Sequence, residues 1–306
     1  MKSSELNVIT GGLSYIGKYI ARRLLEEGQR VLILTGHPNR PNPFGERVRI
    51  TPFHFDNTGE LIQSLQGATT LYNTYWVRFD YWQISFAKAV ENTRVLIKAA
   101  AEAGIRKIVH ISVSNPSEES PFPYFRGKAQ LEKAIVESKL PYAIIRPTLV
   151  YGGEEEILVN NIAWLLRRFP VFALPGSGEY RLQPIVVEEV AALAVHAAMN
   201  VHNQVLDAAG PDIFGFDDMV RLIKEKIRSR GLFFHASPQL ALFLLKLVGL
   251  MVNDVVLTGD ELGALRANLL VSSHPPTGQT RLSDWLDKNA ELLGRRYASE
   301  MNRHYR

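Results

Sequence analysis

Short apolar runs alternate with amphipathic segments along the first half of the chain. Runs typical of buried strands occur at residues 6–10, 29–35, 47–55, 69–75, 107–112 and 142–146. Segments with helical periodicity lie between them, at residues 15–27, 86–103 and around 127–138. Strands that alternate with helices predict βαβ units and a parallel sheet covered by helices. We therefore predict an α/β fold with a Rossmann-type doubly wound parallel sheet.

The alternation weakens after residue 150. Proline, glycine and aromatic residues are frequent over residues 151–180, and the segments beyond about residue 210 have mainly helical patterns. We expect the sheet domain over residues 1–150. Residues 151–306 are expected to form a smaller, mostly helical lobe for substrate, interleaved with the end of the sheet.

Composition and charge exclude several classes of function. The 306 residues include no cysteine, which excludes disulfides, iron–sulfur clusters and thiolate zinc sites. No histidine pair has metal-binding spacing, so we expect no metal. The net charge of +4 is scattered and not interleaved with aromatic residues, which argues against nucleic-acid binding. Without an apolar leader or a run of 18 apolar residues, we expect a cytoplasmic protein with no transmembrane segment.

A glycine-rich turn follows the first predicted strand and opens the first helix. Residues 10–17 read Thr-Gly-Gly-Leu-Ser-Tyr-Ile-Gly, with serine where a middle glycine is usual. Such a turn directs backbone N–H groups and a helix N-terminus at a pyrophosphate. The predicted cofactor-binding residues here are Gly11, Ser14, Tyr15, Ile16 and Gly17.

The segment after the second strand lacks the expected carboxylate. A dinucleotide site for NAD carries Asp or Glu about twenty residues beyond the glycines, to bind the ribose hydroxyls. This chain instead has His37 and Arg40, which can pair with a 2′-phosphate. The sequence favours NADP(H) over NAD(H).

A tyrosine and a lysine four residues apart open the helix before the last strand. Tyr124 and Lys128 share one helix face, and a positive charge at the lysine favours the phenolate. Tyr124 can therefore act as a general acid or base on a carbonyl or alcohol. Ser112 and Ser114, after the fifth strand, are the two candidates to hydrogen-bond the substrate oxygen, with Ser112 preferred.

Taken together in this order, these motifs resemble the short-chain dehydrogenase/reductase superfamily, of the extended or atypical type in the epimerase/dehydratase group. Further matching residues are Asp56, Asn73-Thr74, Arg146-Pro147-Thr148 and the segment 183–190. The resemblance implies an NAD(P)-binding domain in which Asp56 meets the adenine and Asn73 and Thr74 line the nicotinamide ribose.

The resemblance extends to the far end of the cofactor and to the C-terminal part. It implies that Pro147 flanks the nicotinamide amide and that Lys128 holds the ribose hydroxyls. The C-terminal part is similar to bacterial relatives of an accessory respiratory complex I subunit, a branch in which nucleotide binding can persist without catalysis.

Seven aromatic side chains follow the fourth strand, and they can line a substrate pocket or pack the next helix. They are Tyr72, Tyr75, Trp76, Phe79, Tyr81, Trp82 and Phe86. We expect an NAD(P)(H)-dependent oxidoreductase, a reductase or an epimerase, that transfers hydride to or from a small carbonyl or alcohol substrate in an apolar or aromatic pocket. The alternative is a non-catalytic nucleotide-binding subunit or scaffold, associated with a membrane complex.

An apolar segment at residues 239–252 has three interpretations. It can be a core helix of the C-terminal lobe, a surface for a homodimer or peripheral partner, or an interfacial membrane contact. Lys246 alone interrupts the apolar run from residue 240 to 252 with a charge, which favours a buried helix.

Overall fold

The computed structural model describes residues 5–153 and 155–305. The strands are β1 (Leu6–Thr10), β2 (Arg30–Thr35), β3 (Val48–Pro52), β4 (Thr70–Asn73), β5 (Lys107–Ile111), β6 (Tyr142–Pro147), β7 (Leu149–Tyr151), β8 (Val171–Pro175), β9 (Arg181–Leu182), β10 (Pro184–Val186), β11 (Gln204–Ala208), β12 (Phe214–Gly215) and β13 (Leu232–Ala236). The helices are α1 (Tyr15–Glu26), α2 (Thr58–Leu65), α3 (Phe86–Glu102), α4 (Pro123–Glu137), α5 (Leu158–Arg168), α6 (Val187–Met199), α7 (Phe216–Lys226), α8 (Pro238–Val252), α9 (Gly259–Arg266) and α10 (Leu282–Asn289).

Contacts divide the chain into two compact units, neither of which is continuous in sequence. The first comprises Met1–Arg146 and Val187–Leu206, and the second comprises Pro147–Val186 and Asp207–Arg306. The chain thus passes from one unit to the other at residues 146–147, 186–187 and 206–207.

A seven-stranded sheet forms the centre of the first unit. The strand order is β11-β6-β5-β4-β1-β2-β3, and the pairs from β6 through β3 are parallel. The order reverses at β1, since β2 lies on one side of it and β4 on the other. Open α/β sheets bind ligands at the carboxyl ends of the strands beside such a reversal. The predicted Rossmann-type sheet is confirmed.

One apolar cluster holds this sheet against its helices. The strands contribute Val8, Leu32, Leu34, Leu71 and Ile108, and the helices contribute Leu61, Leu65, Leu96 and Ile135. All nine side chains are at most 1% exposed. Tight packing on this face of the sheet fixes the carboxyl ends of β1, β4 and β5 relative to one another, which a site built on those ends requires.

The second unit combines helices with small sheets. Three two-stranded sheets, β7–β10, β9–β12 and β8–β13, accompany helices α5 and α7–α10. Its core gathers side chains from α5, α7 and α10 together with β7, β8 and β9.

Helix α8 is not the buried core helix that its composition favours. Only Ala241 and Gly249 of its fifteen residues are buried. Its large exposed side chains are Leu240, Phe243, Leu247, Leu250 and Met251. These positions recur at three- and four-residue intervals, so they form one apolar stripe along the helix.

Candidate cofactor-binding and catalytic site

The glycine turn is a backbone cradle that leaves no room for side chains. Gly11 has a φ of +65° and donates its N–H to the carbonyl of Leu34 at 2.8 Å. A Cβ on Gly17 would lie 2.4 Å from the Gly11 carbonyl oxygen, and one on Gly12 would lie 2.7 Å from Ile33 Cγ1. Both approaches are closer than van der Waals contact allows, so the turn requires glycine at these positions.

Ser14 occupies a position that does not require glycine. Its φ of −103° is extended backbone, it is the N-cap residue of α1, and its N–H donates to the Gly11 carbonyl at 2.8 Å. The first turn of α1, which starts at Tyr15, contains no acidic residue. The helix N-terminus therefore keeps its favourable field for a phosphate.

A buried hydrogen-bond network joins the ends of β1, β4 and β5. The Thr10 hydroxyl donates to Asn73 Oδ1 at 2.9 Å and accepts the N–H of Thr74 at 2.8 Å. The Thr74 hydroxyl donates back to the Thr10 carbonyl. Asn73 Nδ2 donates to His110 Nδ1 at 3.1 Å. The side chains of Asn73 and Thr74 are thus held by the protein itself at the edge where a cofactor ribose is expected.

His110 is a site neighbour that the sequence did not single out. Because Nδ1 accepts from Asn73, the ring proton lies on Nε2, which has no hydrogen-bond partner among residues 5–153 and 155–305. Burial, and then the positive charge of Lys128, lower the pKa of His110 well below its usual value of 6.5. The ring is therefore neutral at physiological pH.

Tyr124 and Lys128 lie one turn apart on α4, as predicted from their spacing. Pro123 occupies the first turn of the helix, where its missing N–H costs nothing. Tyr124 is half-buried, whereas Lys128 is only 2% exposed and donates from Nζ to the Ile111 carbonyl at 2.7 Å. Burial lowers the pKa of Lys128 to about 7, although Glu132 opposes the shift. Lys128 therefore exchanges its proton near neutral pH.

Trp76 covers the surface of α4 between these two side chains. Its ring meets Tyr124 edge-on at a centroid distance of 5.8 Å and stacks on Phe86 at 5.7 Å. Lys128 Nζ lies 4.7 Å from the indole centroid. A Cβ on Gly127 would lie 2.6 Å from Trp76 Cη2, so glycine allows this close approach.

The two serines have different surroundings. The Ser112 hydroxyl donates to Glu132 Oε1 at 2.5 Å, and Arg146 binds both oxygens of the same carboxylate, from Nε at 3.0 Å and Nη2 at 2.5 Å. Ser112 therefore gives its only hydrogen to an ion pair. Ser114 is fully buried two residues further on.

The remaining predicted residues lie on loops or strand ends. His37 and Arg40 form a turn after β2, in which the His37 N–H donates to Thr35 Oγ1 at 3.1 Å and the Arg40 N–H donates to the His37 carbonyl at 3.2 Å. Asp56 is exposed beyond β3. Pro147 is the buried last residue of β6.

The aromatic residues after β4 do not act as one cluster. Tyr75 packs on Phe53 and Phe55, with centroids 5.1 Å from each. Trp82 is 91% exposed on a turn closed by the Tyr81–Ile84 bridge. Trp76 and Phe86 both make edge-to-face ring contacts with Tyr124.

These residues fit a dinucleotide at its pyrophosphate. At Gly11, Gly12 and Gly17 a ligand can approach the backbone closely, where a side chain would block it. The N-terminus of α1 adjoins this cradle, and its first turn carries no carboxylate. Among the described residues no group of three or more potential metal ligands occurs. The site therefore suits an organic cofactor bound by backbone, hydroxyl and amide groups.

Comparison with known families agrees with this geometry. Residues 11–160 match a family model described as NAD(P)H-binding. The predicted resemblance to the short-chain dehydrogenase/reductase superfamily agrees with this match, which covers 150 of the 306 residues. The match includes the glycine turn, both serines, Tyr124 and Lys128.

Curated relatives of this chain include respiratory-chain proteins. It is 24% identical over 291 residues to "NADH dehydrogenase [ubiquinone] 1 alpha subcomplex subunit 9, mitochondrial" of Arabidopsis thaliana, with 89% of this chain and 72% of the relative covered. It is 37% identical over 109 residues to "Protein FMP52, mitochondrial" of Meyerozyma guilliermondii, with 33% and 44% covered. The chain spans 62% and 53% of the subunit 9 proteins of Dictyostelium discoideum and Mus musculus.

Solved structures show the same fold. The triphenylmethane reductase of Citrobacter sp. superposes with a TM-score of 0.76 at 15% identity, covering 93% of this chain and 98% of that one. The NADPH-dependent quinone oxidoreductase of Escherichia coli, solved with NADPH, gives 0.71 at 17% identity, with 92% and 99% covered.

The comparisons overturn the predicted location. The prediction of a cytoplasmic protein is wrong, because the relatives from Arabidopsis thaliana, Dictyostelium discoideum and Meyerozyma guilliermondii are all named as mitochondrial proteins. The prediction rested on the lack of an apolar leader, which does not identify a compartment. No helix in the described part of the chain has the length and hydropathy needed to cross a membrane.

Proposed function

We propose that the protein is an NAD(P)(H)-dependent oxidoreductase acting on a small carbonyl or alcohol substrate. The observation that carries this proposal is the position of Tyr124 and Lys128 on one face of α4, with Lys128 bonded to the end of β5. The family match and the reductase fold of the structural neighbours support it. Bound nicotinamide supplies the hydride donor or acceptor.

In this proposal the side chains of α4 handle the proton. The Tyr124 hydroxyl gives a proton to the substrate oxygen during reduction and takes it during oxidation. The Lys128 ammonium, when protonated, stabilises the phenolate left behind. The ring contacts of Trp76 and Phe86 with Tyr124 give the substrate side an aromatic wall.

Ser112 is a weaker candidate for orienting the substrate oxygen than its place at the strand end indicates. Ser112 donates its hydroxyl hydrogen to Glu132, which Arg146 holds with two hydrogen bonds. Giving that hydrogen to a substrate would leave a buried carboxylate with one donor fewer, at a cost of about 1–3 kcal/mol. We therefore withdraw the preference for Ser112 and keep Ser112 and Ser114 as the two candidates.

We propose NADP(H) as the preferred cofactor. The turn at residues 36–40 contains His37 and Arg40 and no carboxylate, so nothing there repels a 2′-phosphate. Parallel titrations with NADPH and NADH test this preference. We expect tighter binding of NADPH, and an Arg40→Ala variant that loses the difference; tighter binding of NADH by the unchanged protein would reject it.

The activity itself is tested with a panel of ketones, aldehydes and quinones by following nicotinamide absorbance. We expect Tyr124→Phe to lower turnover by about a hundredfold or more, because it removes the general acid but keeps the ring. Tyr142→Phe, at the start of β6, serves as the matched control. Turnover that survives Tyr124→Phe would remove this residue from the chemistry.

A second candidate function is a nucleotide-binding scaffold that assembles through α8. The apolar stripe favours it, and the subunit 9 relatives bear the name of a multisubunit complex. Leu240 and Leu250, and likewise Phe243 and Leu247, are placed symmetrically about residue 245. Two copies of α8 packed antiparallel about a two-fold axis would therefore pair these side chains. We propose a second copy of the chain as the occupant.

Sedimentation of the full chain tests the scaffold. We expect a dimer that becomes monomeric in Leu247→Lys, whereas Leu292→Lys, at another exposed apolar side chain, has no effect. A monomer at every concentration would reject self-association through α8. Dimerisation together with nucleotide binding and no turnover on the substrate panel would favour the scaffold over the enzyme.

A further inference from the structure

Trp76 packs against the Lys128 amine and against the ring of Tyr124 on α4. The Lys128 side chain is 2% exposed, it donates to the Ile111 carbonyl, and its Nζ lies 4.7 Å from the indole centroid. A buried ammonium covered in this way cannot also reach the hydroxyls of a ribose. Access to Lys128 therefore requires a displacement of the indole.

The chain is built to accept the indole at this position. Glycine inside a helix costs roughly 0.5–1 kcal/mol relative to alanine, yet Gly127 stands in the middle of α4. Any larger residue would collide with the indole, since a Cβ would lie 2.6 Å from Cη2 and 3.1 Å from Cζ2. Phe86, the first residue of α3, supports the opposite side of the ring.

In this position the indole N–H lacks a hydrogen bond. Trp76 Nε1 is buried and has no hydrogen-bond partner among the described residues. A buried unsatisfied donor costs about 1–3 kcal/mol, and the indole regains this free energy in an outward position in which its N–H meets water. The residues around it favour such movement, because β4 ends at Asn73 and α3 begins only at Phe86. Between them lies a single β-bridge, Tyr81–Ile84.

We propose that Trp76 is a gate at the nicotinamide end of the site. In the closed state the indole covers the Lys128 amine, and in the open state it leaves the amine accessible to the cofactor. This inference rests on the proposed function, since it assumes that a dinucleotide binds along the edge formed by β1, β4 and β5. In the closed state the pyrophosphate cradle at Gly11–Gly17 stays available. The covered state therefore affects the nicotinamide half of a dinucleotide and not its ADP half.

Comparing the affinities of two ligands separates the contribution of the ADP half of the dinucleotide from that of the nicotinamide half. ADP carries two phosphates and lacks both the nicotinamide and the ribose attached to it, so its affinity reports the cradle and the adenine half without any contact to Lys128. If the closed state is populated about tenfold over the open one, NAD(P)H loses about tenfold in affinity through the nicotinamide half. We expect Trp76→Ala to recover this factor for NADPH and NADH and to leave the affinity for ADP unchanged. Trp82→Ala, on the same segment and exposed, is the matched control and should change neither.

Two outcomes would overturn the gate. The first is weaker NAD(P)H binding in Trp76→Ala, which would make the indole a stacking platform for the nicotinamide. The second is an equal change for ADP and NAD(P)H, which would make the effect a general loss of structure.

Chemical modification of Lys128 tests the gate without any nucleotide. Labelling with an amine-reactive acetylating reagent, read by peptide mass spectrometry, should be slow at Lys128 in the unchanged protein. It should accelerate about tenfold or more in Trp76→Ala, since the modified fraction follows the open population. Gly127→Ala keeps the tryptophan but forces the indole off α4, so it should accelerate labelling as well. Equal rates in all three proteins would reject the gate.

The labelling result also distinguishes the two proposals. If no nucleotide binds but Lys128 becomes reactive in both variants, the proposed function fails and the gate stands as a property of the fold. If nucleotides bind and Lys128 reactivity does not change, the gate fails and the proposed function stands. Lys133, exposed on the same helix, is the internal reference for reagent reactivity.

Discussion

Burial changes the chemistry of Lys128 more than its place in the sequence suggests. The spacing from Tyr124 predicts a permanent cation that lowers the pKa of a phenol. In the structure, burial lowers the pKa of Lys128 itself to about 7, so the amine exchanges its proton near neutral pH. The charge on Lys128 then depends on pH. If Trp76 moves, the charge also depends on whether the indole covers the amine.

This pKa predicts how stability depends on pH. In the unfolded chain a lysine titrates near about 10.4, so between pH 7 and that value the unfolded state holds a proton that the folded state has lost. Stability therefore rises with pH across this interval, by at most about 1.4 kcal/mol per unit from this group. Urea denaturation at several pH values should show that the free energy of unfolding rises more steeply with pH in the unchanged protein than in Lys128→Met. The exposed Lys133→Met is the control, and identical slopes in all three would contradict the buried amine.

The surroundings of Ser112 predict a structural role. Removing its hydroxyl deletes one hydrogen bond to a buried charged group, so Ser112→Ala should lower the free energy of unfolding by about 1.5–3 kcal/mol. Glu132→Ala should cost more than Ser112→Ala, because it removes the acceptor of both the Ser112 hydroxyl and the Arg146 guanidinium. Both follow from urea denaturation, with Ser64→Ala of α2 as the control, since its hydroxyl makes a solvent-exposed hydrogen bond to the Glu60 carbonyl. A Ser112→Ala variant of unchanged stability but lost turnover would return this serine to the chemistry.

At the scale of elements, local signals identified most of the first sheet. The boundaries of β1, α1, β2, α3 and β5 lie within one residue of those expected from the pattern. β3 ends earlier than expected, at Pro52, because His54 adopts a φ of +52° that ends the strand. Helix α2 was not predicted, although Asn57 caps it and Leu61 and Leu65 are spaced as a buried face. Its eight residues are too few for the periodicity to stand out.

The covering of Lys128 could not be read from the sequence. The tryptophan follows β4, its support comes from α3, and the glycine that admits it lies on α4. Such a contact depends on the packing of three elements far apart in the chain, and the aromatic pattern alone left packing and pocket as alternatives. The engagement of Ser112 by Glu132 and Arg146 was hidden for the same reason.

The close packing of the glycine turn predicts the effect of a single methyl group. Gly17→Ala places a Cβ 2.4 Å from the Gly11 carbonyl oxygen, so either α1 or the turn must shift. We expect loss of ADP-ribose binding and a fall in stability of about 1–3 kcal/mol. Gly59→Ala, at the open start of α2, should instead be neutral or stabilise by up to about 1 kcal/mol. Calorimetric titration and urea denaturation of both variants give the comparison, and wild-type binding by Gly17→Ala would contradict the cradle.

At the scale of the whole molecule, the first unit needs a segment from beyond residue 150. Helix α6 packs on α1 and β5, and β11 is the edge strand beside β6. Lys107 Nζ donates to the carbonyl of Asn200, and the N–H of Tyr142 donates to Asn203 Oδ1 at 2.9 Å. A domain that ends at residue 150, as proposed from the sequence, would leave Lys107 without these partners and one face of the sheet without α6.

This dependence predicts the behaviour of fragments. A fragment of residues 1–150 exposes the apolar surface that α6 covers, and its buried groups around Lys107 lose their hydrogen bonds, so we expect a poorly cooperative, aggregating chain. Joining residues 187–206 to residues 1–146 through a flexible glycine–serine linker restores α6 and most of β11. That fragment should unfold in a single urea transition and bind ADP-ribose like the full chain, since the glycine turn and the Thr10–Asn73–His110 network lie within it. The same linker placed after residue 150 without the added segment controls for solubility. A 1–150 fragment that folds cooperatively and binds ADP-ribose would show that the sheet needs neither α6 nor β11.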